Sequence, residues 1–202
     1  GVPINGMENG KVYWSNWSGL SDVSQFIQVQ RGLGASALGI SSVGGTMNMV
    51  TKSTEAQKGG SAYFGIGNDG FRKYSVSFST GLMDNGWAIT FMGSLNTGDG
   101  YVKGTNYEGW TYFGNISKVI NDHHKLSLTA FGAPQWHNQR STMHYIEDYK
   151  NSPDGGRFNN GYGYINGEAV GSGYGYNYYH KPQVSLNHYW TIDEKSTLTT
   201  SL

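Results

Sequence analysis

The chain has 202 residues, with 14 basic and 14 acidic side chains, so its net charge is zero before histidine is counted. That balance argues against a nucleic-acid partner, which needs a basic surface to neutralise phosphates. The lack of cysteine removes disulfide and thiolate-metal frameworks. Glycine supplies 31 residues and charged side chains only 14%, against a usual charged share of about 25%. Mean hydropathy is −0.51, and no apolar run approaches the roughly 20 residues of a membrane helix. A membrane barrel alternates apolar and polar residues and averages out to the same mild polarity.

Residues 1–56 carry no single period. "GVPING" and "FIQVQRG" read as short strand-like pieces, "GASAL" as a helical turn, and "GTMNMVTK" as another strand. This predicts part of a small mixed α/β unit. From Gly59 onward the period is two. "SAYFGIG" puts Ala62, Phe64 and Ile66 on one face, and "FRKYSVSFST" sets Tyr74, Val76 and Phe78 against Ser75, Ser77 and Ser79. "WAITFMGSLN" and "HKLSLTAFGA" repeat the pattern with Ile89, Phe91, Leu126 and Leu128, and "PQVSLNHYW" and "STLTTSL" extend it. "WTYFGNISKV" is ambiguous, with aromatics on both faces. Period-two alternation over this length predicts antiparallel strands with a different environment on each side.

Strands over 71–80, 87–96, 110–119 and 124–133 would each be about ten residues, the length of a tilted membrane strand. The connectors "GLMDNG", "INDH" and "TIDEK" are short turns. Between them fall Asn68–Gly70, Thr97–Gly109 and a very long one, Pro134–Lys181. The polar faces are Ser, Thr and Asn rather than the Lys and Glu that cover a soluble sheet. Trp87, Trp110 and Trp190 sit at expected strand ends, as in an interfacial girdle. The predicted fold is therefore mainly β: a partial antiparallel transmembrane β-barrel of about seven strands over residues 57–202, preceded by the mixed unit over 1–56.

The run "FIQVQRGLGASALGISSVGGTMNMVTKS" resembles the plug-to-barrel segment of TonB-dependent outer-membrane receptors. The family pattern is roughly V-E-V-L-R-G-P-x-S-x-L-Y-G-x-x-x-x-G-G-x-I-N-I-V-T-K. Val29, Arg31, Gly32, Gly39, Gly44, Gly45, Asn48, Val50, Thr51 and Lys52 match it, and "GVPI" resembles an earlier piece of the same plug. The resemblance implies the second half of a plug followed by the first barrel strands, in the outer membrane of a Gram-negative bacterium. It implies energy-coupled uptake of a scarce large solute, such as a siderophore, cobalamin or an oligomeric nutrient, with no chemical bond changed and no cofactor.

Its implied partners are outer-membrane lipid and a periplasmic TonB-type transducer, reached through a segment upstream of Gly1. A surface lipoprotein is a further partner it allows. It also implies that connectors after odd-numbered strands are extracellular. Departures are Leu33 for the pattern's Pro, Gln28 for its Glu and Leu38 for its Tyr. The chain also lacks the K-D-A-x-x-x-x-Y-G form of the glycan-importing subgroup, which counts against a glycan. A passive porin or surface adhesin is the competing membrane reading, and a secreted aromatic-rich lectin the competing soluble one.

Candidate ligand-contacting residues fall in two groups. Leu38 takes the place of a family residue that can face the ligand. Tyr13, Trp14 and Trp17 either present aromatic surface to a ligand or pack the plug against the wall. The long connector, rich in Tyr, Asn and Gly, offers Trp136, His137, Tyr145, Tyr162, Tyr164 and Tyr174, a mixture that suits broad contact. Arg31, Gly32, Gly44, Gly45 and Asn48 are expected to be structural, Arg31 through barrel carboxylates. "GIGNDG" at Gly65–Gly70 matches G-x-G-x-x-G but lacks a following helix and reads as a hairpin. His123 with His124, and His137 with His144, Glu147 and Asp148, read as ordinary turn and loop polarity rather than metal ligands.

Overall fold

The computed structural model describes residues 2–6, 8–17, 19–32, 44–51, 56–140, 144–170 and 175–202. A 3₁₀ turn, Trp14–Trp17, leads into α1 (Leu20–Val23), β1 (Ser24–Arg31) and β2 (Gly45–Thr51). Then come β3 (Gly59–Ile66), β4 (Arg72–Leu82), β5 (Trp87–Gly98), β6 (Tyr107–Asn121), β7 (His124–Gly132) and β8 (Gln135–Asn138). Helix α2 (Ile146–Asn151), a 3₁₀ turn Gly155–Arg157 and the small strands β9 (Gly163–Ile165) and β10 (Glu168–Val170) follow. β11 (Tyr176–Tyr179), β12 (Gln183–Asp193) and β13 (Ser196–Ser201) complete the order.

The chain is mainly β and its strands pair antiparallel. The large sheet runs β3-β4-β5-β6-β7-β12-β13, in chain order except that β12 lies beside β7, with β8 and β11 extending it at one end. The two edges, β3 and β13, do not pair with each other among the described residues, so no closed barrel is formed.

"GIGNDG" makes the β3–β4 turn. Asp69 and Gly70 both have positive φ and Phe71 N–H donates to Asn68 O, the tight hairpin geometry that an Asp-Gly pair favours. Short turns at 83–86, 122–123 and 194–195 share one rim. The connectors at 67–71, 99–106 and 139–175 share the other.

The sheet is inside out relative to a soluble one. Following the register, one outward row holds Trp87, Lys118, Leu126 and His188, and the next holds Ile89, Ile116, Leu128 and Leu186. Above them lie Phe78, Phe91, Gly114 and Ala130, then Val76, Gly93 and Tyr112, then Tyr74, Leu95 and Trp110. Val76, Phe78, Phe91, Ile116 and Leu128 are all exposed. The buried positions between them are mostly polar: Ser79, Thr90, Ser94, Thr111, Asn115, Ser117 and Ser127. Several of these satisfy one another, with Asn115 Nδ2 donating to Ser127 Oγ at 2.9 Å and Thr129 Oγ1 at 2.8 Å, Ser117 Oγ donating to Asn115 Oδ1 at 2.7 Å and Thr90 Oγ1 to Ser79 Oγ at 3.0 Å. The ambiguous strand resolves with Trp110 and Tyr112 outward and Phe113 inward.

Residues 12–17 and 19–23 cover this inner face. Trp17 stacks on Phe131 at 6.3 Å and joins Val23, Met92, Phe113 and Ala133 in the one apolar core cluster found among the described residues. Gly19 lies so close to β6 that a Cβ there would fall 1.6 Å from Thr111 Oγ1. Asp22 accepts from Lys73 Nζ at 2.6 Å and from Ser94 Oγ at 3.1 Å, tying α1 to β4 and β5.

β1 and β2 form a separate two-stranded sheet. Gly45 has φ +128° and a Cβ there would meet Gln30 O at 2.3 Å, so glycine is required for the strands to approach. Gly32 N–H donates to Gly44 O, and Asn48 Nδ2 donates to Gln28 Oε1 at 3.2 Å across the pair. These four residues close the hairpin. Arg31 is exposed and makes no ion pair among the described residues, so the expected link to barrel carboxylates is not formed here. The "GVPI" piece is not a strand: the chain folds back through Gly6 N–H to Lys11 O instead. "GASAL", with Leu38, lies outside the described residues.

Several strands run two or three residues past the sequence reading, to Leu82, Asn121 and Asp193, and two further differences bear on the site. β6 begins at Tyr107 rather than Trp110, so Trp110 sits inside the strand. The expected connector Pro134–Lys181 is sheet at both ends, since β8 continues β7 and β11 precedes β12. Proline cannot donate to a ladder, which is why the alternation looks finished at Pro134. Its carbonyl still accepts from Trp110 N–H at 2.8 Å, and pairing resumes one residue later.

Candidate functional site at the long-connector rim

A cavity of about 320 Å³ opens between the inner face of the sheet and the N-terminal segment at the long-connector rim. Its lining draws on five places: Ser15, Asn96 of β5, Gly100, Thr105 with Tyr107 to Gly109 around the start of β6, and Gln135 to Asn138 of β8. The size falls at the lower end of the roughly 300–1,000 Å³ seen for small-molecule sites.

One wall is a continuous hydrogen-bond chain. Gln139 Nε2 lies 3.2 Å from His137 Nε2, and His137 Nδ1 lies 2.7 Å from Gln135 Oε1. Gln135 Nε2 then donates to Asn16 Oδ1 at 3.1 Å and to Asn177 Oδ1 at 2.8 Å. The carboxamide oxygen of Gln135 can only accept, so His137 carries its proton on Nδ1 and its Nε2 accepts from Gln139. Burial holds His137 below the ordinary histidine range, which keeps the ring neutral. Burial, with the Asp99 carboxylate nearby, pushes the Tyr107 phenol up.

The rim connectors dock on one another. Arg157 bridges Asp69 at 2.6 Å, lies over the Tyr101 ring at 4.8 Å and donates to Tyr101 O. Lys103 pairs with Asp154, which raises the lysine's pKa, and Asn159 Nδ2 donates to Lys103 O at 2.7 Å. The 139–175 segment is therefore fastened to the 99–106 connector and the β3–β4 turn.

The candidate residues divide accordingly. Trp136 and His137 line the cavity, with Trp136 stacked on Tyr176 at 6.0 Å. Trp17 is only 6% exposed and packs under the cavity floor, while Tyr13 and Trp14 stay about half exposed. Tyr145 precedes α2, where its N–H donates to Asp148 Oδ2, and is 81% exposed. Tyr162 lies against Gly104, its hydroxyl 3.5 Å from that of Tyr164, and neither lines the cavity. Tyr174 and Leu38 lie outside the described residues.

His144 packs between Tyr149 and Phe158. No cluster of three or more His, Asp or Glu able to hold a metal occurs among the described residues. His124 Nδ1 sits 3.1 Å from His188 Nε2 in nearly coplanar rings 5.3 Å apart, an in-line hydrogen bond on the outer face. Sequence reasoning missed Ser15, Asn96, Thr105, Tyr107, Gln135 and Asn138. Alternation gave each strand's inward set, but only the inter-strand register shows that these positions meet.

His137 gives a pH prediction. Its folded pKa is lowered from about 6.5, so the unfolded chain binds the proton more readily than the folded one. The stability this side chain contributes is complete above about pH 6.5 and is lost as pH falls towards the lowered folded value. Protonation of Nε2 also ends its role as acceptor for Gln139. Imidazole proton shifts followed by NMR should show His137 titrating below 6.5, together with a change in Trp136 emission. Titration above 6.5 would contradict the assignment.

No family model matches the chain, and no curated protein matches it.

Proposed function

We propose that this chain is the later plug and early barrel of a TonB-dependent outer-membrane receptor, which takes up a scarce large solute using energy relayed from the inner membrane. The observation that carries the reading is the inverted sheet, whose outer face is a continuous apolar surface and whose inner face is hydroxyl and amide. Soluble monomers rarely leave apolar patches above a few hundred Å². From Trp110 to Lys118 the strand rises roughly 27 Å at about 3.4 Å per residue. At a barrel tilt of about 40° this is a band some 21 Å tall, close to the ~25 Å apolar belt of outer-membrane proteins.

Trp87, Trp190 and Lys118 border the band below; Tyr74, Trp110 and Tyr112 border it above. The seat of residues 12–17 and 19–23 on the polar face supports a plug, and the motif over Phe26–Ser53 agrees with it. Solute binds at the long-connector rim, and a pull on the upstream segment moves the N-terminal unit off the inner face to open a path. No bond is made or broken, and the chain acts as a transporter rather than an enzyme. A passive porin or adhesin barrel is disfavoured by the covered inner face.

The test is sidedness combined with partitioning. The intact protein should fractionate with outer membranes and change its electrophoretic mobility on heating. Gly155→Cys should be labelled by an impermeant thiol reagent on intact cells, and Asn85→Cys only after permeabilisation. Recovery in the soluble fraction would end the membrane reading. A large steady conductance in planar bilayers would replace the receptor with a porin.

A further inference from the structure

The groups facing the cavity divide into those already satisfied and those still free. Gln135 and His137 use their donors and acceptors within the wall, so they act as a rigid surface rather than as ligand contacts. Ser15, Asn96 and Tyr107 belong to the same lining, and their side chains have no hydrogen-bond partner among the described residues. Two hydroxyls and one carboxamide thus remain, each able both to donate and to accept, and none ionised at neutral pH.

Charge is absent from this space by arrangement. Glu108 is on the outward parity of β6, and its carboxylate accepts from Trp110 Nε1 at 2.8 Å. Lys73, which pairs with Asn96 across β4 and β5, is neutralised by Asp22. Arg157 and Lys103 at the mouth are neutralised by Asp69 and Asp154. Asp99, next to cavity-lining Gly100, has no cation beside it and receives only a long contact from Asn106 Nδ2 at 3.4 Å. The entrance therefore carries a negative charge, and among the described residues the interior has no cation with which to receive an anion. An anionic group moved inside would lose its water without gaining a partner, which is costly.

We infer that the cavity selects an uncharged group bearing hydroxyls or carboxamides and rejects carboxylates and other anions of the same shape. This rests on the uptake reading above and narrows it: chelates held by bare carboxylates are excluded, and solutes presenting amide or polyol surface are favoured. Asn96 is the specificity-determining residue, because its carboxamide is free and lies on the inward parity of β5, opposite buried Gly109.

Gluconamide and gluconate differ only in the terminal amide or carboxylate and serve as the probes. Binding to the intact protein in detergent is followed through tryptophan emission, since Trp136 lines the cavity. Gluconamide should bind about tenfold more tightly or better, a difference of about 1.4 kcal/mol. Asn96→Lys should reverse the order by supplying a cation, and Asn96→Ala should weaken gluconamide while leaving gluconate unchanged. Retained heat-modifiable migration of both variants shows that they fold. Equal or tighter gluconate binding to the unaltered protein overturns the inference, as does failure of both probes to bind at about 100 mM, a concentration that reaches even very weak sites. Failure of the uptake reading is distinguishable: the protein would be recovered in the soluble fraction with its probe preference intact.

Discussion

Phe91→Arg should destabilise the protein in lipid by about 2–4 kcal/mol, the cost of an arginine near the midplane of a barrel's outer wall. Phe91 lies in the middle outward row, its ring 5.7 Å from Phe78, and is 48% exposed. In water the same substitution would remove an exposed apolar ring from a sheet surface, and surface changes of that kind usually stay within about 0.5 kcal/mol. The two environments therefore predict different magnitudes for one substitution. Urea unfolding in phospholipid vesicles reads the difference, with Tyr164→Arg, on the small β9–β10 hairpin and 68% exposed, as the expected near-neutral control. If both variants unfold at the midpoint of the unaltered protein, the outer face does not meet lipid.

The sheet was legible in the sequence because its two faces differ so sharply. Val76, Phe78, Phe91 and Leu128 alternate with Ser75, Ser77, Thr90 and Ser127 in a pattern that only a strand can sort. The turns were legible for a chemical reason: Asp69-Gly70 and Asn85-Gly86 supply the left-handed backbone or the side-chain acceptor that tight turns need. Strand ends were less so. Tyr107–Gly109 and Gln135–Asn138 do not alternate in hydrophobicity, because both faces of the sheet are polar beyond the aromatic row. Pattern reading therefore stopped at Trp110 and Pro134.

The cavity was the least legible feature. It needs the segment around Ser15 to meet β8, as Asn16 does at Gln135, and that contact follows from how the N-terminal segment lies across the sheet. Trp136 and His137 were found through loop composition although they belong to a strand. The fastening of the long connector depends on Arg157 reaching Asp69, a pairing over 88 positions that no local pattern signals.

Trp17→Ala should detach the N-terminal segment from the sheet. Trp17 was open to two readings in sequence, ligand surface or packing, and the structure buries it against Phe131, with Tyr179 edge-on at 6.3 Å. Truncating a buried tryptophan costs about 3–5 kcal/mol. The polar contacts beside it are too weak to absorb that loss: the Asp22–Lys73 pair is part-exposed, and Ser94 to Asp22 and Gln135 to Asn16 are single hydrogen bonds. Partly exposed pairs and single neutral bonds contribute about 1 kcal/mol each.

The strands of the large sheet hold one another through their own ladders, so the loss should appear as local opening rather than global unfolding. Trypsin reports this at Lys11 and Arg31, which flank the docked residues. Cleavage there should accelerate by roughly two to three and a half orders of magnitude, the equivalent of 3–5 kcal/mol, while the sheet's heat-modifiable migration persists. Were Trp17 a ligand contact instead, cleavage would stay at the rate of the unaltered protein and only solute uptake would fall. The proteolysis rate thus separates the two roles without any knowledge of the solute.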